Sequence, residues 1–175
     1  MNSKLVKGVV FFGFGIALYV VLGSIINIPL LAGSHIQTDL GYIAFGFYLY
    51  RFGPKATIVG VLGCLIESLL TSGWVPVGWM LGQVFIGLTC GTAYVFMNRN
   101  ANIKFHIIAI IITILSVFIG IGIIKTIVEC YLYSIPFEVK IIKNLVAALS
   151  DVIPMIIGME LGKRLNGVID TNAKM

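Results

Sequence analysis

A few polar side chains interrupt stretches that are otherwise apolar, and their spacing is that of a helix. Lys125 and Glu129 lie four residues apart and share one helix face. Further on, Lys140, Asn144, Ala147 or Ala148, and Asp151 recur at the same period, with Lys143 beside Asn144. Trp79 and Gln83 are again one turn apart, and Glu67 stands one turn after Gly63. Such a set offers donors, acceptors and both signs of charge, so the chemistry it suits is recognition of a small polar molecule. Ionisable groups within hydrocarbon are expensive, and they face a bundle interior or a watery cavity. Asn144 and Asp151 are too short to reach the headgroups, whereas Lys125 and Lys140 could snorkel there. Asp151 could equally be a structural partner of a lysine. Trp74, Trp79, Tyr131 and Tyr133 have two readings, an interfacial aromatic belt or rings that stack on an aromatic ligand.

The elements that must position these residues are membrane-spanning helices. The chain has 175 residues, 59% hydrophobic and only 11% charged, with a mean hydropathy of +1.05. Soluble domains carry about a quarter charged residues. A span takes about 20 apolar residues, so five or six fit and no soluble module remains; an ATPase would itself need roughly 100 residues. Polar and Pro/Gly punctuation predicts an all-α bundle, a single integral-membrane substrate-binding domain over 1–175, with helices over about 7–28, 39–52, 54–70, 77–97, 105–133 and 137–165. The residues from 166 to 175 read as a frayed polar tail. Neither a fixed-period repeat nor a low-complexity segment is visible.

The basic residues set an orientation. Lys4, Lys7, Arg51, Lys55, Arg99, Lys104, Lys163, Arg164 and Lys174 fall at the two termini and in the second and fourth connections. With six spans all of these lie on one side, which the positive-inside rule makes cytoplasmic. The other three connections contain neither Lys nor Arg, so Lys125, Lys140 and Lys143, near the outer helix ends, need another reason to be there. A net charge of +5 is therefore a matter of topology rather than of nucleic-acid binding.

Other chemistries find little support. Cys64, Cys90 and Cys130 fit neither zinc nor disulfide spacing and read as small buried hydrophobes. His35 and His106 fall on opposite sides of the membrane and cannot share a metal ion. Walker, HExxH and GxSxG motifs are absent, so neither a cofactor nor a metal is expected. The first helix is apolar nearly all round but carries Gly13 and Ala17 four apart, a small-xxx-small pair suited to close contact with another helix, within its own bundle or beyond it.

With these residues in place, the segment Gly15-Ile-Ala-Leu-Tyr-Val-Val-Leu-Gly23, followed by Ile26-Asn-Ile-Pro29, Ile36-Gln37 and Phe52-Gly-Pro54, resembles the start of substrate-binding S components of energy-coupling factor (ECF) transporters, of the riboflavin-type or an uncharacterised branch. The motif content covers the first three helices; beyond about Pro76 the likeness is one of helix number and length. It implies a six-helix protein of the cell membrane that captures a vitamin or similar micronutrient from outside, without being an enzyme. The implied partners are a transmembrane scaffold protein and two cytoplasmic ATPases, with Gly13 and Ala17 at the scaffold contact. The implied pocket, at the outer helix ends and connections, gathers Gln37, Trp74, Trp79, Gln83, Lys125, Glu129, Tyr131, Lys143, Asn144 and Asp151. One departure, Gly73-Trp-Val-Pro-Val-Gly-Trp79 where related sequences carry a Trp-rich cluster, leaves the substrate open. A flavin or modified nucleobase is favoured, because lysines at the pocket would repel a permanent cation. The rival reading is an intramembrane enzyme acting on a lipid or prenyl substrate through Glu67, Glu129 or Asp151, which predicts turnover. A structural or channel-forming bundle would show neither turnover nor a retained ligand.

Overall fold

A computed structural model describes residues 3–25, 28–29, 37–99 and 103–172. The bundle begins with α1 (Ser3–Ile25), followed by the two-residue strands β1 (Ile28–Pro29) and β2 (Gln37–Thr38). These pair antiparallel, Ile28 with Thr38 and Pro29 with Gln37. Next come α2 (Gly41–Phe52), a 3-10 turn (Gly53–Ala56), α3 (Thr57–Thr71) and α4 (Val77–Arg99). After α5 (Ile103–Val117) the backbone winds as a π-helix from Phe118 to Lys125, then resumes as α6 (Thr126–Tyr133). The last helix, α7, runs Phe137–Asn172.

Among the described residues, four helical stretches are long and apolar enough to cross a membrane: Gly41–Thr71, Val77–Met97, Ile103–Tyr133 and Phe137–Leu165; Gly8–Ser24 is a shorter apolar helix. The expected second and third helices form one such stretch, because the 3-10 turn joins α2 to α3. At 12 residues, α2 rises only about 18 Å, short of the roughly 30 Å hydrocarbon core. Gly53, at φ 63°, makes the bend that starts the turn.

Two boundaries differ from expectation. The first helix stops at Ile25 rather than near Ile28, because Ile28 and Pro29 are extended and paired with β2; the residue before a proline is disfavoured in helix. Helicity also continues to Asn172 through the stretch expected to fray. No proline follows Pro154 to stop it.

Packing is tightest where glycines let main chains meet. Gly46 of α2 lies against the Met155 and Met159 backbone of α7, and Gly158 of α7 against the Ile43 and Phe47 backbone of α2. On the other side, Gly82 of α4 meets Gly120 in the π-helix, and Gly91 meets Gly53 and Pro54. Around these seams lies a buried core that includes Tyr19, Tyr42, Phe45, Leu49, Ile86, Tyr94, Met155 and Met159. Val9, Val10, Phe11 and Phe14 on α1, Leu115 on α5 and Ile153 on α7 point outward, as suits a surface bathed in lipid tails.

Candidate functional site

The helical stripe of α7 turns inward. Asn144, Ala147, Ala148 and Asp151 are buried, whereas Leu145, Leu149 and Ile153 are exposed. Facing the stripe is the end of the π-helix. By widening the turn there, the chain delivers Lys125 into the interior, only 5% exposed, and the Gly122 carbonyl accepts from Thr126 Oγ1 at 2.5 Å. Such segments are rare and frequently sit at functional sites.

Lys125 is fully engaged. Its Nζ donates to Asn144 Oδ1 at 2.7 Å, lies 3.8 Å from Glu129 Oε1 and stands 3.6 Å from the centroid of the Trp79 ring. Asn144 Nδ2 in turn donates to Thr126 Oγ1 at 2.9 Å and to Glu129 Oε2 at 3.3 Å. Lys140 reaches the same Glu129 oxygen at 3.1 Å. Burying a charge is tolerable only when it is paired and hydrogen-bonded, and this network satisfies both demands. Lys140 therefore holds an inward partner instead of snorkelling.

A second network joins the start of α2 to α1, α4 and α7. Tyr19 O–H donates to Asp39 Oδ2 at 2.5 Å, and Gln83 Nε2 donates to Tyr19 Oη at 3.1 Å. The Asp39 backbone N–H donates to Asp151 Oδ1 at 3.1 Å, tying the connection after β2 to the middle of α7. Asp39 Oδ1 accepts the Gly41 N–H at 2.7 Å, the local turn that starts α2. Burial pushes the Asp39 carboxyl up to about 6, against the hydrogen bonds from Tyr19 and Gly41 that lower it. The Glu67 carboxyl lies over Gly23 of α1, where an added Cβ would meet it at 2.6 Å. Gln83 Oε1, Asp151 Oδ2 and Tyr42 Oη are buried and have no hydrogen-bond partner among the described residues.

The structure thus brings together Trp79, Gln83, Lys125, Glu129, Asn144 and Asp151. Others lie apart: Tyr131 is 87% exposed, Lys143 is exposed, and Trp74, 51% exposed, packs its ring 5.4 Å from that of Tyr133. Gln37 contributes backbone to the β1–β2 pair; its side chain and His35 lie outside the described residues. Sequence reasoning missed Tyr19, Asp39, Tyr42 and Thr126. Tyr19 sits inside an apolar run and Asp39 reads as an ordinary helix start, so the only available signal was a carboxylate within a chain almost free of them. The three carboxylates of the enzyme reading do not act as a set: Glu129 is held by two lysines, and among the described residues no group of three His, Cys, Asp or Glu side chains could hold a metal ion.

Residues 3–166 match the family described as ECF-type riboflavin transporter, S component. The chain belongs to this family. An ECF S component is a membrane transporter subunit that binds substrate, and it is not an enzyme; S components work with a scaffold protein and ATPases. A UPF0397 protein of Lactococcus lactis subsp. cremoris is 30% identical over 159 residues, covering 85% of this chain and 84% of the relative. A UPF0397 protein of Phytoplasma australiense is 24% identical over 157 residues, 85% and 78% of the two chains. Among solved structures, the S-component for biotin from an ECF-type ABC transporter superposes with a TM-score of 0.67 at 22% identity, covering 95% of this chain and 94% of that one. That likeness is one of fold.

Proposed function

We propose that this S component forms a single six-span domain with both termini cytoplasmic, and that it captures a small aromatic or heterocyclic micronutrient from outside the cell, a flavin or modified nucleobase. The observation that carries this reading is the gathering of two buried polar networks where α1, α2, α4, α7 and the π-helix meet, in a chain with so few polar residues to spend. Trp79 supplies a stacking face, and Gln83, Asn144 and Asp151 supply donors and acceptors whose matching selects the ligand. Lys125 and Glu129 set the local charge. Gln37, Trp74, Tyr131 and Lys143 are read as the outer rim of the same site.

Gly13 and Ala17 are exposed on α1, and an added Cβ at Gly13 meets nothing within 4 Å. That face is read as the scaffold contact, with two ATPases completing the importer. Native mass spectrometry of the purified chain is expected to find one small molecule retained per protein. Gly13→Leu with Ala17→Leu should leave folding and ligand intact and abolish co-purification of scaffold and ATPases. Normal uptake by that double variant, with no retained ligand in the parent chain, would sink the proposal.

A further inference from the structure

The unpaired polar atoms of the second network point to the kind of ligand edge it accepts, an inference that rests on the substrate-binding reading above. Tyr19 has a single proton, and its 2.5 Å contact commits that proton to Asp39 Oδ2. Tyr19 Oη must therefore accept, and it does so from Gln83 Nε2 at 3.1 Å. This fixes which way the Gln83 amide faces. Its Nε2 is used and its Oε1 meets no donor among the described residues, in a side chain that is 0% exposed. Asp151 repeats the pattern: Oδ1 accepts from the Asp39 N–H at 3.1 Å and faces Ser150 Oγ at 3.4 Å, while Oδ2 is buried and bare. Two unanswered acceptors thus belong to one hydrogen-bonded chain of residues, with the unpartnered Tyr42 hydroxyl on the adjacent turn of α2.

The charges agree. Lys125 and Lys140 both pair with Glu129, whereas Asp39, Glu67 and Asp151 form no ion pair among the described residues. Lys125 and Lys140 are thus turned toward Glu129 rather than toward Asp39, Glu67 and Asp151.

We propose that the recognised edge of the ligand is rich in donors: an amino-substituted nitrogen heterocycle that gives N–H groups to Gln83 Oε1 and Asp151 Oδ2. The N–H and amino side of a 2-aminopyrimidinone ring, as in guanine or pterin, has this character. The pyrimidine edge of a flavin sets one N–H between two carbonyls and would bring acceptors against bare acceptors. The site therefore favours the aminated nucleobase class over flavin.

Asp151→Asn is a direct probe. The Asp39 N–H demands an oxygen at the Oδ1 position, which forces the new NH2 into the place of Oδ2, donor against donor. Pterin and guanosine, with riboflavin as the comparator whose ring edge sets one N–H between two carbonyls, should be titrated calorimetrically into the full chain in nanodiscs. A donor-edged compound is expected to bind, about 30-fold more weakly to Asp151→Asn and about 10-fold more weakly to Gln83→Leu. Should Asp151→Asn fail to fold, Gln83→Leu carries the same comparison. Failure of both donor-edged compounds to bind at millimolar concentration overturns the proposal, as does riboflavin binding that Asp151→Asn and Gln83→Leu leave unweakened. Co-purification with scaffold and ATPases, measured on the same preparation, reports separately whether the substrate-binding reading itself stands.

Discussion

The two ends of the bundle handle charge in opposite ways. At the end where Phe12 of α1 meets Phe52 and Tyr50 meets Gly162, charge is placed outward. Lys55, Lys104, Lys163 and Arg164 are exposed there, and His106 pairs with the part-exposed Glu160 at 2.8 Å. At the other end Asp39, Lys125, Glu129 and Asp151 are drawn into the protein and held by Tyr19, Asn144, Thr126 and Trp79. Charge that only orients a protein in a membrane costs little at the surface. Charge drawn inside must be balanced by specific partners, which supports the proposal that this end recognises the ligand.

Breaking the buried network should have the largest effect. Asn144→Leu removes the partner of Lys125, Thr126 and Glu129 at once and should destabilise the chain by about 3 kcal/mol, since stranded charged groups cost more than neutral ones. Thermal unfolding in detergent would check it, and a loss below about 1 kcal/mol would mean that Glu129 alone suffices for Lys125. Gly158→Val drives a side chain into the Ile43 carbonyl region and should cost about 2 kcal/mol, with α2 displaced and ligand binding weakened as Asp39 moves. Acidity offers a gentler probe. The folded carboxyl of Asp39 is raised to about 6, so between roughly pH 4 and 6 the folded chain binds its proton more tightly than the unfolded chain. Stability falls as pH rises through that window and levels off above it. The groups around Asp39 are Tyr19 of α1, Tyr42 of α2, Cys64 and Glu67 of α3 and Asp151 of α7. The Asp39 share of the drop in Tm from pH 5 to pH 7 is roughly 3 °C, and Asp39→Asn should remove that share. The smallest effect belongs to the opposite end, where Glu160→Gln should cost about 0.5 kcal/mol. A loss there comparable to that of Asn144→Leu would erase the contrast between the two ends.

Much of this was legible in the sequence. Lys125 and Glu129 do share a face, and Asn144, Ala147, Ala148 and Asp151 do face inward, because helical periodicity leaves a polar stripe few other ways to turn. Lys143 follows the same logic in reverse. It is one residue from Asn144 and so about 100° around the helix from it, which turns it outward. The partners of the stripe were not legible. Nothing in the local sequence says that Asp39 will meet Asp151, 112 residues away, or that Tyr19, in an apolar run, will spend its proton on a carboxylate. Those pairings depend on how α1, α2 and α7 cross, and that depends on main-chain contacts at Gly46 and Gly158 that are cryptic until the helices are assembled. The six-span count and the placement of the termini rest on the charge pattern alone.

The π-helix from Phe118 to Lys125 also governs what lengths this region tolerates. Everything beyond it is phased by the extra residues held in those wide turns. Losing one of them would let the segment relax to ordinary α-helix and rotate Lys125, Thr126 and Glu129 by about 100° toward the lipid. Gaps in an alignment of binding-competent relatives should therefore avoid this stretch, or be matched by a compensating change before Asn144, even though the residues themselves, Phe, Ile and Gly, look interchangeable.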